Sequence, residues 1–313
     1  MSRAFVFPGQ GSQAVGMGKE LAEAFPAARE VFEEVDDALQ QKLSKLMFEG
    51  PEDELTLTEN AQPALMAVSM AVMKVLKAEG GVELPTVAAF VAGHSLGEYS
   101  ALAAAGTFSL ADTARLLKTR GKAMQQAVPV GEGAMAALLG LDLEQATEVV
   151  AEASGDEVLA TANDNAPGQV VVSGKREAVE RAVDVAKEKG AKRAMLLQVS
   201  APFHCPMMAP AADVMAEALA AVTLEAPSVP VIANVTAAPV EDPAEIRQLL
   251  VEQVTGMVRW RECCLTMREK GVETLVEVGS GKVLAGLAKR IDRDLAASNV
   301  GTPADVEAFL GAL

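Results

Sequence analysis

Four short runs, Ala4–Phe7, Val87–Val91, Val229–Asn234 and Thr274–Val278, are apolar throughout instead of alternating as a half-exposed strand would. A strand that is apolar on both faces must be covered on both, as in a parallel sheet between two helix layers. Gly-rich turns follow these runs, and helical stretches fill the intervals at Ala61–Ala78, Leu110–Val128, Pro243–Val254 and Val283–Ile291. The pattern predicts an α/β fold with a parallel sheet core. One segment departs from it. Gly133–Gly140 reads as a strand, Leu143–Ala153 as a helix, Glu157–Ala162 and Gln169–Ser173 as strands, Arg176–Lys189 as a helix and Arg193–Val199 as a strand. That βαββαβ order is the ferredoxin-like motif, a self-contained antiparallel unit. Val128-Pro129-Val130-Gly131 and Ser200-Ala201-Pro202 have the composition of hinges on either side of it. The expectation is a discontinuous α/β domain, residues 1–128 and 200–313, with a ferredoxin-like domain, residues 129–199, inserted into it.

Composition narrows the function. Lys and Arg total 27 against 43 Asp and Glu, a net charge of −16 that argues against nucleic acid or an anionic membrane as partner. Three cysteines, two of them adjacent (Cys263, Cys264), make no disulfide scaffold, and with only two histidines no metal-ligand cluster of the usual spacing forms. The run from Ser2 to Phe7 breaks at Pro8-Gly9, too early for a signal peptide. The longest uncharged stretch, Ala194 to Ala212, carries three prolines and His204, so no membrane span is expected, while the lack of a disulfide scaffold among the three cysteines points to a reducing cytoplasm.

Gly93-His94-Ser95-Leu96-Gly97 fits G-x-S-x-G, with a strand before it and an amphipathic helix, Glu98–Ala105, after it. In such a nucleophile elbow a tight turn projects the serine hydroxyl, and small flanking residues let strand and helix approach. The large domain is therefore expected to be α/β-hydrolase-like, with the Leu96 N–H at the helix start available to an oxyanion. Ser95 needs a base. His94, on the same elbow, should point away from it, whereas His204 lies in the constrained loop Pro202-Phe203-His204-Cys205-Pro206 and suits the part. No acidic residue between Ser95 and His204 occupies an obvious loop after a strand, so some other acceptor must orient the imidazole. Arg120 shares a helix face with Leu116, Leu117 and Met124, and a guanidinium on an apolar face needs a carboxylate from the protein or from a ligand. Pro8-Gly9-Gln10-Gly11-Ser12-Gln13-Ala14 formally matches a dinucleotide loop but lacks the acidic strand end that should follow. Its backbone N–H groups would instead complete an oxyanion hole beside Ser95. Gly279-Ser280-Gly281-Lys282 lacks the spacing of a phosphate-binding loop, and Cys205 reads as filler.

Taken together these segments resemble the malonyl-CoA–acyl carrier protein transacylases of type II fatty acid synthesis and, less closely, the acyltransferase domains of polyketide synthases. The matching residues are Phe7 to Gln13, Gly93 to Leu102, Arg120-Gly121-Lys122, Asn163 to Val172, His204, Gln253 and Glu277-Val278-Gly279. Ser280 departs from the Pro common in the family. The resemblance implies that Ser95 is acylated, that His204 is its base and that Gln253 supplies the carbonyl orienting His204. It further implies that Arg120 pairs with the malonyl carboxylate, that the N–H groups of Gln10 and Leu96 form the oxyanion hole, and that Asn163 and Gln169 reach the cleft. Phe203 before His204 is similar to the malonyl-selecting pattern of polyketide acyltransferases. Malonyl-CoA and acyl carrier protein are then substrates, no cofactor or metal is expected, and a monomer is. A serine esterase or thioesterase shares the elbow, and a catalytically dead carrier-binding module is a second alternative. An acidic carrier would need a local basic patch on this acidic chain. Lys187, Lys189, Lys192 and Arg193 are candidates, though a solvated helix end would look the same.

Overall fold

The computed structural model describes residues 2–313. Its strands are β1 (Arg3–Phe7), β2 (Phe90–Gly93), β3 (Gly133–Leu139), β4 (Leu159–Ala166), β5 (Gln169–Lys175), β6 (Arg193–Leu196), β7 (Val231–Ile232), β8 (Pro239–Val240), β9 (Thr274–Val278) and β10 (Ala296–Val300). One sheet has the order β10-β9-β1-β2-β7-β8, parallel except for the β7–β8 pair. Successive β1 residues serve opposite faces. Phe5 and Phe7 pack with the long helix Thr58–Gly80, while Ala4 and Val6 pack with Trp260, Met267 and Leu284. That two-sided burial is why the runs show no alternation. No helix among the described residues is long and apolar enough to cross a membrane.

The second sheet has the order β4-β5-β3-β6 and is antiparallel throughout. Helices Leu143–Ala153 and Arg176–Glu188 close its own core over Ala136, Leu138, Val170 and Val172. β4 is tied to the large domain by an isolated bridge between Asn163 and Val258, which precedes the helix Trp260–Glu269, with the Asp164 N–H donating to the Val258 carbonyl.

Several boundaries differ from expectation, each for a local reason. Leu84–Val87 is a short helix started by Pro85, and the strand begins only at Phe90; an apolar run does not distinguish a buried turn from a strand. The run Val229–Asn234 contributes only Val231–Ile232, because Pro230 has no N–H and the Asn234 N–H leaves the ladder for the Glu98 carboxylate. β4 continues past Ala162 through Asn163-Asp164-Asn165, whose polarity belongs to the cleft and to an ion pair with Arg261. β6 stops at Leu196, short of Val199. β10 is an edge strand of sequence Ala-Ala-Ser-Asn-Val with one buried end, so it carries no apolar run.

Candidate active site

Parallel pairing of β1 with β2, Phe7 opposite Gly93, sets the loop after β1 beside the elbow after β2. The approach is close: a Cβ on Gly93 would lie 1.9 Å from the Gly97 carbonyl, and one on Gly97 would lie 2.2 Å from the Phe7 oxygen. Only glycine fits at either place. Between them Ser95 sits at φ 54°, ψ −110°, a conformation that costs a non-glycine residue on the order of 1–3 kcal/mol. Hydrogen bonds hold it there. The Ser95 N–H donates to Asn234 Oδ1 at 2.8 Å, and Gln253 Nε2 donates to the Ser95 carbonyl at 3.0 Å.

Ser95 Oγ lies 2.8 Å from His204 Nε2. His204, buried and itself at φ 57°, directs Nδ1 to the main-chain carbonyls of Gln253 (2.9 Å) and Gly256 (3.1 Å). Two carbonyls can only accept, so Nδ1 carries the proton and Nε2 presents its lone pair to the hydroxyl. Burial, reinforced by the Arg120 charge, pushes the imidazole pKa down to about 3, so the ring is a neutral base. His94 faces elsewhere: its Nε2 lies 2.8 Å from Asn165 Oδ1 and its ring stands against Trp260.

Arg120 is 1% exposed. It donates to Gln62 Oε1 (2.9 Å), Gln253 Oε1 (2.9 Å) and Ser95 Oγ (3.1 Å), and its Nε has no partner among the described residues. Its plane stands over the Tyr99 ring, 5.7 Å from the centroid. All three acceptors are uncharged. The nearest link to a carboxylate runs through Gln253, whose Nε2 donates to Glu98 Oε2 at 2.8 Å. Burial pushes the Glu98 carboxyl up to about 7, against the opposing pull of its hydrogen bonds from Gln253 and Asn234.

The Gln253 carbonyl facing His204 is thus the main-chain one, while its side chain serves Arg120, Ser95 and Glu98. A cavity of about 270 Å³ opens over Ser95, bounded by Gln10, Leu96, Arg120, Asn163, Phe203 and His204 and by apolar Met124, Met135, Val171 and Leu197. Neither the Gln10 nor the Leu96 N–H has a hydrogen-bond partner among the described residues. Gln169 does not reach the cavity. It opens β5 at the far end of the small sheet, and its Oε1 accepts from Arg290 at 2.8 Å. Gln62, Glu98, Asn165 and Asn234 were missed as members of the site. Glu98 left a trace, as the one charged residue on a short helix rich in Leu and Ala, whereas Gln62 follows Thr58, Glu59 and Asn60 and is not set apart from them. Asn234 is a polar end to an apolar run, a pattern too common to single it out.

The acyl transferase domain family matches residues 4–300. The malonyl CoA-acyl carrier protein transacylase of Bacillus subtilis (strain 168) is 49% identical over 307 residues, covering 97% of this chain and 95% of the relative. That of Escherichia coli (strain K12) is 48% identical, covering 98% of each. The acyl-carrier-protein S-malonyltransferase of Bartonella henselae superposes with a TM-score of 0.98 at 60% identity, covering 100% of this chain and 99% of that one. A malonyl-transacylase solved in complex with its type II PKS acyl-carrier protein gives a TM-score of 0.96 at 44% identity, covering all of both chains. With a family match along most of its length and relatives this similar over nearly their whole chains, the protein belongs to the acyl transferase family.

Proposed function

We propose that the chain carries a malonyl group from malonyl-CoA to the phosphopantetheine thiol of acyl carrier protein through an ester on Ser95. One observation carries the reading: a buried guanidinium, met only by uncharged acceptors, stands beside the nucleophile. A buried cation so placed selects an acyl group bearing its own carboxylate. His204 Nε2 takes the Ser95 proton as Oγ attacks the thioester carbonyl, and the Gln10 and Leu96 N–H groups receive the oxyanion. Each such donor is worth roughly 10²–10³ in rate. Expelled CoA thiolate takes the proton back from His204. The carrier thiol then enters by the reverse sequence, giving ping-pong kinetics. Exchange between thioester and oxygen ester needs no redox step or Lewis acid, and no cofactor is invoked.

Asn163 and Phe203 are assigned to the substrate wall, supported by their place on the cavity; Gln169 is assigned no role. The strand order β4-β5-β3-β6 supports reading residues 129–199 as a ferredoxin-like domain inserted into an α/β-hydrolase-like one, residues 1–128 and 200–313. We further assign the protein to the cytoplasm, as a monomer. Replacing Arg120 by Ala tests the reading. Malonyl kcat/KM should fall roughly 100-fold, far more than acetyl transfer, which loses only the Arg120 contacts to Ser95 Oγ and Gln253. Equal losses on the two substrates would remove the carboxylate clamp.

A further inference from the structure

Glu98 lies on the first turn of the helix Leu96–Ala104 and is 2% exposed. It touches neither the cavity nor Ser95 Oγ, yet one of its oxygens collects two donors from other parts of the chain. The Asn234 N–H reaches Oε2 at 3.0 Å and Gln253 Nε2 at 2.8 Å. Each donor also serves the elbow. Asn234 Oδ1 accepts from the Ser95 N–H and its Nδ2 donates to the Gly93 carbonyl at 2.7 Å, while Gln253 Nε2 donates to the Ser95 carbonyl.

The orientation of the Gln253 amide follows. With its NH₂ drawn to Glu98 and to the Ser95 carbonyl, Oε1 must face Arg120, where it accepts at 2.9 Å. Turned over, the amide would set its NH₂ against the guanidinium and its oxygen against the Glu98 carboxylate, donor on donor and acceptor on acceptor. Gln62 Oε1 holds the other guanidinium nitrogen at 2.9 Å, so the plane of Arg120 is defined by two amide oxygens, one of them set by Glu98.

We propose that Glu98 is a positioning residue for malonyl transfer, fixing the Gln253 amide so that Arg120 is aimed at the acyl carboxylate beside Ser95. The inference rests on the malonyl-transfer reading above. Its signature is selectivity: acetyl has no carboxylate, so a mis-aimed Arg120 harms malonyl transfer beyond any general damage to the elbow.

The test measures malonyl and acetyl kcat/KM, with thermal melting, for the full chain and for Glu98→Ala, Glu98→Asp and Glu98→Gln. Glu98→Ala should lower the malonyl-to-acetyl ratio about tenfold. Glu98→Asp, which keeps the carboxyl group but withdraws the acceptor by one methylene, should lower it in the same direction. Glu98→Gln retains a carbonyl acceptor and should restore the ratio to within about threefold of the parent. Should Glu98→Ala fail to fold, Glu98→Asp and Glu98→Gln decide the matter. A folded Ala or Asp variant with the parent ratio overturns the proposal, as does a Gln variant that loses selectivity as Ala does. Failure of the underlying reading is distinct, because the parent chain would then show no preference for malonyl at all.

Discussion

Ser95 and His204 both occupy positive-φ conformations, at 54° and 57°, and each is held by hydrogen bonds to main-chain or amide groups instead of to a carboxylate. An imidazole facing two carbonyls and a guanidinium stays neutral, which suits the proposed transfer, in which an acyl-serine would have to outlast the exchange of one thiol for another. The sign of the pH effect follows from a pKa lowered from 6.5 to about 3. The basic form of His204 is present above that value, so acylation by malonyl-CoA should show no histidine inflection near 6.5 and lose its base only as the pH falls toward 3. Stopped-flow acylation rates in Glu98→Gln, where the other titrating group is gone, check this; an inflection near 6.5 would contradict it. The same depression means that unfolding takes up a proton, so this contribution to stability is complete above pH 6.5 and is lost as the pH drops toward 3. At Gln253 the side chain, not the main chain, separates Arg120 from Glu98. Gln253→Glu should therefore leave the orientation of His204 intact but set a carboxylate against Arg120. Malonyl kcat/KM should drop roughly 100-fold, and acetyl transfer much less.

Between β2 and the helix that starts at Leu96, the elbow depends on contacts that admit no side chain. Gly97→Ala would drive a Cβ to 2.2 Å from the Phe7 carbonyl, separating β1 from the helix. We expect it to destabilise the fold by about 3 kcal/mol, read as a lower urea midpoint, with activity lost in parallel. An unchanged midpoint would mean that the two elements slide apart at little cost. Much at this scale was legible in the sequence. The helix Val283–Ile291 and the strand Thr274–Val278 were bounded correctly, and the elbow, the two histidines and Arg120 stood out, because glycine spacing, scarcity and a charge on an apolar face leave local marks. Edge strand β10 and the truncated β7 were not, since an exposed strand needs no apolar run and a side-chain bond to Glu98 ends the other. The Glu98–Asn234–Gln253 network was invisible for a further reason. It joins residues 136 and 155 positions apart, and no local pattern records such a pairing. Gln169 shows the reverse hazard: a family position carried over by motif falls beside Arg290, outside the cavity.

Over the whole molecule the charge is −16, so a carrier protein that is itself acidic, as the family resemblance implies, would have to be met by a local patch. Of the four basic residues proposed for it, Lys187 pairs with Asp184 at 3.0 Å and Lys189 with Glu152 at 3.1 Å, which spends their charge within the small sheet's helices. Lys192 and Arg193 have no ion-pair partner among the described residues. Reversing their charges should raise the KM for carrier protein about tenfold, more at low salt, while Lys187→Glu should change it little. If all four reversals act alike, or none acts, docking lies elsewhere. In the proposed transfer a carboxylate-bearing acyl group rests on Ser95 between two thiols. Intact-protein mass spectrometry after mixing the chain with malonyl-CoA tests it most directly. A malonyl adduct that persists, disappears on addition of carrier protein carrying a free phosphopantetheine thiol, and is absent from Ser95→Ala is the result predicted. Rapid release of free malonate with no adduct, or an adduct that survives Ser95→Ala, would contradict it.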